Sequence, residues 1–523
     1  ELITSEEVLE AFRLGRDELE VPADAMVTAE ARERAASLNV RLRRLFGTRD
    51  EMPGDDEVTA GSKTAAVRVK ERCDAVITGG EVIIGGRDMA RADLAVCDGK
   101  IAAVGRGLTG DGLLIDASGL VVAPGIIDPH VHLGLMSPFS GELKTEGGSA
   151  ILGGVTSVGC FVDGEGSHLQ RISDMQSEVQ KQSPIDVFFH LVISSREQVQ
   201  EIPAYIQRGI RSFKVYMCGI PGLIEPVDDD FMLEVFSALG PYSEHVVLCV
   251  HAENRAVVDW ALSGAVDSGE YDAAQWADTH PPDAEEEAVT RAAILGREFG
   301  VRTYFVHISS REGLRAAERM RRDEGDRLAF ETTSPYLAAP LLHSRAKMVP
   351  PVRDRETAEA LWKALVQGIV DTVGTDNVTM TREEKGLGGP SGDILPGYPA
   401  LATHLPILLS EGCNRRNIDL LTIIDAVTRK PAQIFGLYPQ KGSLLPGSDA
   451  DCAVLDLTLE RRVDPAHLGS RSDFSPVEGE NIRGWPVMTM QRGVVAQVHG
   501  RPRDPACGRF LRLEDSVARE EDQ

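Results

Sequence analysis

The chain has 523 residues, 42% of them hydrophobic, and its 55 basic and 81 acidic side chains leave a net charge of -26. That length accommodates a large catalytic domain with smaller companions, and the acidic balance argues against nucleic acid and anionic membrane surfaces as partners. There is no apolar run of the roughly 18–20 residues that span a bilayer, the first residues are acidic where a signal peptide is basic, and the 8 cysteines form no C-x-x-C pair, so a reduced, cytoplasmic protein is expected.

In chain order, residues 1–46 carry helical periodicity at Ile3, Val8, Leu9, Phe12, Ala31, Ala35, Leu38 and Leu42, with Thr4 and Glu7 spaced as a capping box, which predicts a helical extension. Residues 47–72 are polar and aperiodic and read as a linker. Residues 73–125 hold short alternating strands, with Asp98-Gly99 as a hairpin turn. Between 126 and 440, apolar strands around residues 188–193, 212–217, 246–250 and 301–308 alternate with helical stretches. That rhythm predicts an α/β fold, a (β/α)8 TIM barrel, with functional residues at the C-terminal strand ends. Strand texture returns over 441–500. The two flanks, 73–125 and 441–500, are expected to meet as a small β-sandwich, and 501–523 to form a C-terminal arm.

Six side chains stand out as candidate metal ligands. His130 and His132 lie two apart on the apolar strand around Asp128-Pro129-His130-Val131-His132, and side chains two apart on a strand share a face. His251, His307 and Asp376 each follow a short apolar run and Lys214 lies within one, so all can converge at one end of a barrel. A lone histidine at a strand end is more often an ordinary hydrogen-bonded residue, but a pair on one face reverses that reading. Lys214 sits in Phe213-Lys214-Val215-Tyr216, where burying an unpaired ammonium is costly. It can snorkel outward or find a carboxylate. Alternatively, with lowered basicity, its amine can take up carbon dioxide as a carbamate, an anionic bridge between two divalent ions.

These strand ends, together with residues 125–133, 147–158, 347–353, 441–451 and 481–486, give the chain a resemblance to the amidohydrolase superfamily. Within it, residues 73–513 resemble the cyclic amidohydrolases of the dihydropyrimidinase and hydantoinase type. The resemblance implies a binuclear centre, usually zinc, with His130, His132 and Asp376 on one ion, His251 and His307 on the other, and N6-carboxylated Lys214 bridging. It implies attack by a metal-bridging hydroxide, with Asp376 carrying the proton to the leaving nitrogen, and so the hydrolytic opening of a cyclic amide, imide or ureide such as a dihydropyrimidine or hydantoin. Allantoin-like ureides and other amides are the alternative substrates. A scaffold that has lost its metal is the competing class, disfavoured by the complete ligand set. Assembly as a homodimer or homotetramer is also implied.

The chain departs from that pattern at several positions. Gly219 stands where hydantoinases commonly place a tyrosine that stabilises the oxyanion, Tyr216 where a plain aromatic is usual, Asn377 where a histidine is frequent, and Val349 where a serine offers its backbone to the substrate. Tyr216, Val349, Arg353 and Asn377 are the candidate substrate contacts, and the loop 388–399 resembles the segment that closes over the ring. Residues 500–502 and 508–510 resemble the arm that hydantoinase subunits exchange. Residues 2–11 and 19–28 resemble extensions on proteins of bacterial microcompartments, which implies docking on a shell or cargo partner through residues 1–46. Packing of that segment on its own subunit is the alternative.

Overall fold

The computed structural model describes residues 2–3, 18–22, 26–27, 41–45, 67–68, 73–85, 88–220, 224–266, 273–339, 342, 347–387, 394–503 and 508–513. Its centre is a ring of parallel strands: β1 (Ile126–His132), β2 (Val155–Val162), β3 (Asp186–Val192), β4 (Ser212–Tyr216), β5 (Val247–His251), β6 (Arg302–Phe305), β7 (Leu328–Thr333) and β8 (Thr372–Gly374), continued by β9 (Asn377–Val378). β9 pairs back onto β1, Val131 with Asn377 and His132 with Val378, so the ladder closes into an eight-stranded barrel whose last strand is interrupted at Thr375 and Asp376. The expected (β/α)8 barrel is therefore present. Helices such as Phe139–Leu152, Pro282–Arg297 and Arg311–Glu324 lie between successive strands.

Strands covered on both faces read as near-continuous apolar runs, and every residue of β2, β3 and β5 is buried. Alternation sorts them. On β4, Phe213 and Val215 join the core beneath the helices, while Ser212, Lys214 and Tyr216 face the interior. Inside the barrel Phe188, Cys249 and Tyr304 pack with Phe435, Leu437, Leu511 and Leu513, filling one end and leaving the other to the polar side chains. Residues 508–513 run along β3 of the same chain, with Val187 opposite Phe510.

The two flanks of the barrel meet in one mixed sheet. Val121–Pro124 pairs antiparallel with Cys452–Arg462, Ala123 opposite Ala453, around a core that includes Ile77, Leu94, Val96, Leu444, Val454 and Met488. Lys441 fastens this sheet to the barrel. Its ammonium meets Asp186 at the start of β3, Asp451 at 2.5 Å and Asp449 at 2.9 Å, and Arg492 Nη1 binds the same Asp186 at 2.6 Å.

The N-terminal segment differs in part from the helical expectation. Its described residues are strands: Leu2–Ile3 pairs with Met26–Val27, and Glu18–Pro22 with Arg41–Leu45, which in turn lies parallel to Leu113–Asp116. Ile3 and Leu42, counted toward a helical stripe, are thus strand residues. The edge of Leu113–Asp116 offers Arg41–Leu45 ladder hydrogen bonds that compete with a helix. Thr4, Glu7, Val8, Leu9, Phe12, Ala31, Ala35 and Leu38 lie outside the described residues, as does the 47–72 linker except Val67–Arg68. No helix among the described residues is long and apolar enough to cross a membrane.

Candidate metal centre

All six candidate ligands gather at the open end of the barrel. Nε2 of His130 and Nε2 of His132 each lie 3.1 Å from Oδ1 of Asp376, and this trio has its donor atoms within 4.8 Å of one another. Asp376 reaches inward because the chain turns at the strand break with φ of 54°. On the opposite side His251 Nδ1 faces His307 Nε2 at 3.0 Å, His307 also having positive φ. The His130 and His307 rings, 5.4 Å apart, join the two halves. Lys214, fully buried on β4 beside Cys249, points its amine at the same space, 4.8 Å from the Phe161 ring centroid and 4.6 Å from that of Tyr216.

Electrostatics fit this set to cations. Burial pushes the Lys214 amine down to about 8, and its Nζ has no hydrogen-bond partner. Burial also lowers His132, His251 and His307, keeping lone pairs free. His130 goes the other way, to about 9, because the charges of Glu331 and Asp376 outweigh its burial. Asp376 is held well below the usual carboxylate range: burial opposes this, but the charge and hydrogen bonds of His130 and His132 prevail. Imidazoles, a carboxylate and an amine of lowered basicity are a donor set suited to divalent ions of the zinc kind, so the residues present fit the implied group.

A cavity of about 150 Å³ opens onto these groups. One wall is His130, His132, His251, His307 and Asp376; most of the rest is apolar, including Leu135, Met136, Ile220, Ile224, Met348 and Leu395. Tyr216 and Val349 line it. Arg353 and Asn377 are not among its described lining residues. The Arg353 guanidinium reaches Ala277 O and Ser309 Oγ at 3.5 Å, and the Asn377 amide is spent on Thr379 Oγ1 and the Ala400 N–H, so both stand behind the wall. Of the closing loop, residues 388–393 lie outside the described residues. Leu395, Pro396 and Gly397 cover the cavity, and Lys385 holds them by donating to the carbonyls of Leu395, at 2.8 Å, and Gly397. Gly219 has φ of +76°, and a Cβ there would stand 2.5 Å from Ile224 O, so that turn excludes any larger residue.

Comparison with known proteins places this arrangement. Residues 313–496 match the amidohydrolase family. The chain is 34% identical over 432 residues to a D-hydantoinase of Geobacillus stearothermophilus, covering 79% of this chain and 90% of the relative. The chain belongs to the amidohydrolase family. It is also 30% identical over 459 residues to an allantoinase of Solibacter usitatus, 84% of this chain and 97% of that one. The solved structure of a dihydropyrimidinase from Brevibacillus agri superposes with a TM-score of 0.77 at 29% identity, over 84% of this chain and 98% of the other.

Around the candidate ligands this amidohydrolase carries three carboxylates that sequence reasoning passed over. Glu331 Oε2 accepts from His130 Nδ1 at 2.8 Å and from the His307 N–H at 3.0 Å. Glu253 accepts from His251 Nε2 at 2.9 Å and from His280 Nδ1 at 2.8 Å. Each fixes a tautomer and frees the other ring nitrogen for the centre, as outer partners of metal-binding histidines do. Asp128 accepts from the N–H groups of His130 and Thr375, both at 3.1 Å, and ties β1 to the strand break. Gly374 makes room for Glu331, since a Cβ there would lie 2.1 Å from Oε1. The signal for Glu331 was a lone carboxylate within the apolar run of β7, the same kind of signal that singled out Lys214.

Proposed function

We propose that this protein hydrolyses a cyclic amide, imide or ureide, opening a dihydropyrimidine- or hydantoin-like ring at a centre of two divalent metal ions, with zinc as the metal. The observation that carries the reading is the convergence of His130, His132, Asp376, His251 and His307 around the unpartnered amine of buried Lys214. In it, His130, His132 and Asp376 would hold one ion and His251 and His307 the other, with a carboxylated Lys214 as their shared anionic ligand. Bound metal supplies Lewis acidity, polarising the ring carbonyl and making water acidic enough to attack at neutral pH. Support for the substrate class comes from the three relatives, whose names denote hydrolases of hydantoins, allantoin and dihydropyrimidines.

The chain's own residues do the rest. Glu331 and Glu253 orient His130 and His251. Asp376, kept ionised, accepts at its carboxylate the proton that the attacking water loses and hands it to the ring nitrogen as the C–N bond breaks. Leu135, Met136, Ile220 and Leu395 keep bulk water off the site, and Val349 presents backbone to the ring. Arg353 and Asn377, behind the wall, support it at one remove. The reading extends to assembly as a homodimer or homotetramer and to docking of residues 1–46 on a microcompartment shell or cargo partner. Deletion of residues 1–60 without effect on assembly or shell association would sink that last element.

The decisive experiment loads the protein with zinc in bicarbonate buffer and assays hydantoin, dihydrouracil, allantoin, dihydroorotate, succinimide and a linear amide. Turnover of one cyclic compound, abolished by a chelator, is expected. Turnover of the linear amide alone, or of none, overturns the reading.

A further inference from the structure

We propose that the hydroxyl of Tyr216 donates the hydrogen bond that stabilises the oxyanion of the tetrahedral intermediate, an inference that rests on the ring-opening reading above. When the water oxygen bonds to the ring carbonyl carbon, the π pair of C=O moves onto the carbonyl oxygen. The phenol stays intact and donates O–H to that oxygen. When the intermediate collapses the pair returns, the C–N bond breaks, its electrons stay on nitrogen, and nitrogen takes the proton from Asp376. A donor aimed at such developing charge in a water-poor cavity accelerates acyl transfer strongly.

Four observations converge on Tyr216. First, it ends β4 in register with His251, its ring 5.4 Å from the imidazole of His251, so its phenol is fixed beside the reacting centre. Second, among the described residues that line the cavity it is the only side chain with a neutral O–H: the others are the imidazoles and carboxylate of the centre, Asp163 and apolar groups. Third, it is 3% exposed, yet its hydroxyl makes no hydrogen bond to any described residue. Because Tyr216 lines the cavity, a carbonyl oxygen bound there can accept from that hydroxyl. Fourth, the described residues Gly219, Ile220 and Ile224 of the turn that follows offer no alternative side-chain donor. Gly219 admits no side chain, and Ile220 and Ile224 are tied to each other through their own N–H and C=O groups at 2.8 and 2.9 Å.

The other buried tyrosines nearby do not compete. Tyr336 donates to Pro350 O at 2.6 Å and Tyr304 pairs with Thr372 Oγ1 at 2.7 Å. Tyr398 also has an unmatched hydroxyl but is absent from the cavity wall. It is therefore the natural control.

The test compares Tyr216→Phe and Tyr398→Phe with the unmodified zinc-loaded protein. Expected for Tyr216→Phe is a fall in kcat of about 10²–10³-fold with KM and zinc content unchanged, against a change within about twofold for Tyr398→Phe. A structural role for Tyr216 would move KM or zinc content instead, and a Tyr216→Phe enzyme with unaltered kcat overturns the proposal. Calorimetry with a stable cyclic phosphoramidate, whose anionic oxygen mimics the tetrahedral centre, is the second readout. Tyr216→Phe should bind it at least about tenfold more weakly. If the unmodified protein opens no ring but shows this difference, the ring reading fails and the donor assignment stands. Equal affinities, or no binding by the unmodified protein, overturn the donor.

Discussion

Two lysines, each almost wholly removed from solvent, have opposite fates in this molecule. Lys441 is surrounded by Asp186, Asp449 and Asp451, whose charges raise its basicity despite burial. Lys214 is enclosed by Phe161 and Tyr216, has no hydrogen-bond partner, and is pushed down to about 8 by burial. Both neighbourhoods contain a trio of side chains with metal-ligand spacing: Asp186, Asp449 and Asp451 at one, His130, His132 and Asp376 at the other. The difference lies in who provides the cation. At the acidic trio the chain supplies Lys441 and Arg492, so the cluster is a complete internal salt bridge fastening sheet to barrel. At the histidine trio the neighbouring lysine makes no hydrogen bond to the carboxylate, and burial lowers its basicity. Ligand spacing alone does not identify a metal site; what separates the two clusters is that Lys441 is bound to the carboxylates of its trio and Lys214 is not.

The largest expected effect tests the Lys214 side of this contrast. Lys214→Ala should abolish bound zinc and ring opening together, with the fold retained by circular dichroism. Activity retained at full zinc content would break the bridging-carbamate reading. Next in size is Lys441→Met. Removing the cation leaves Asp451 with no cation and takes one from Asp186 and Asp449, which keep Arg492 and Lys100, and breaking such a buried cluster costs about 3–5 kcal/mol. Urea unfolding should shift to a lower midpoint while zinc content stays unchanged. Loss of zinc with no change in midpoint would reverse the roles assigned to the two clusters.

How far the sequence reveals this depends on the range of each signal. His130 and His132 are legible because a period of two is a local property, and Lys214 because a charge inside an apolar strand is anomalous wherever the strand lies. The barrel is legible from the same repeated strands. The hydrogen bonds of Arg353 to Ser309 and Ala277, and of Asn377 to Ala400, are not legible, because local pattern does not connect these segments. Leu42 reads as helical until the free edge of Leu113–Asp116 is known. The break of the eighth strand, which aims Asp376, depends on Asp128 gripping Thr375 from β1, a contact between residues 247 positions apart.

A subtler effect is expected at Glu331, which holds the Nδ1 proton of His130. Glu331→Gln keeps the shape but loses the charge, and zinc affinity should fall about 10–100-fold with the fold intact, as measured by competition with a chromogenic chelator. Unchanged affinity would show that packing alone, without this carboxylate, orients His130.

The smallest effect isolates what both lysines share, burial itself. His404 is fully buried, its Nδ1 pairs with Ser334 Oγ at 2.9 Å, no carboxylate among the described residues shifts it, and burial alone lowers it to about 3. Its ordinary value of about 6.5 applies once the chain unfolds. Between the two values the unfolded state binds the extra proton, so stability is complete above about pH 6.5 and declines as pH falls toward 3. Over the step from pH 7.5 to 5.5 the loss is about 1.4 kcal/mol from this one group. His404→Leu should remove that increment from the acid limb of the urea midpoint against pH, at the cost of about 1 kcal/mol for the abandoned Ser334 hydroxyl at every pH. An acid limb identical in both proteins would mean that His404 takes up its proton without unfolding. The lowering of Lys214 by the same cause would then lose its calibration, and with it the argument that its amine is free to take up carbon dioxide.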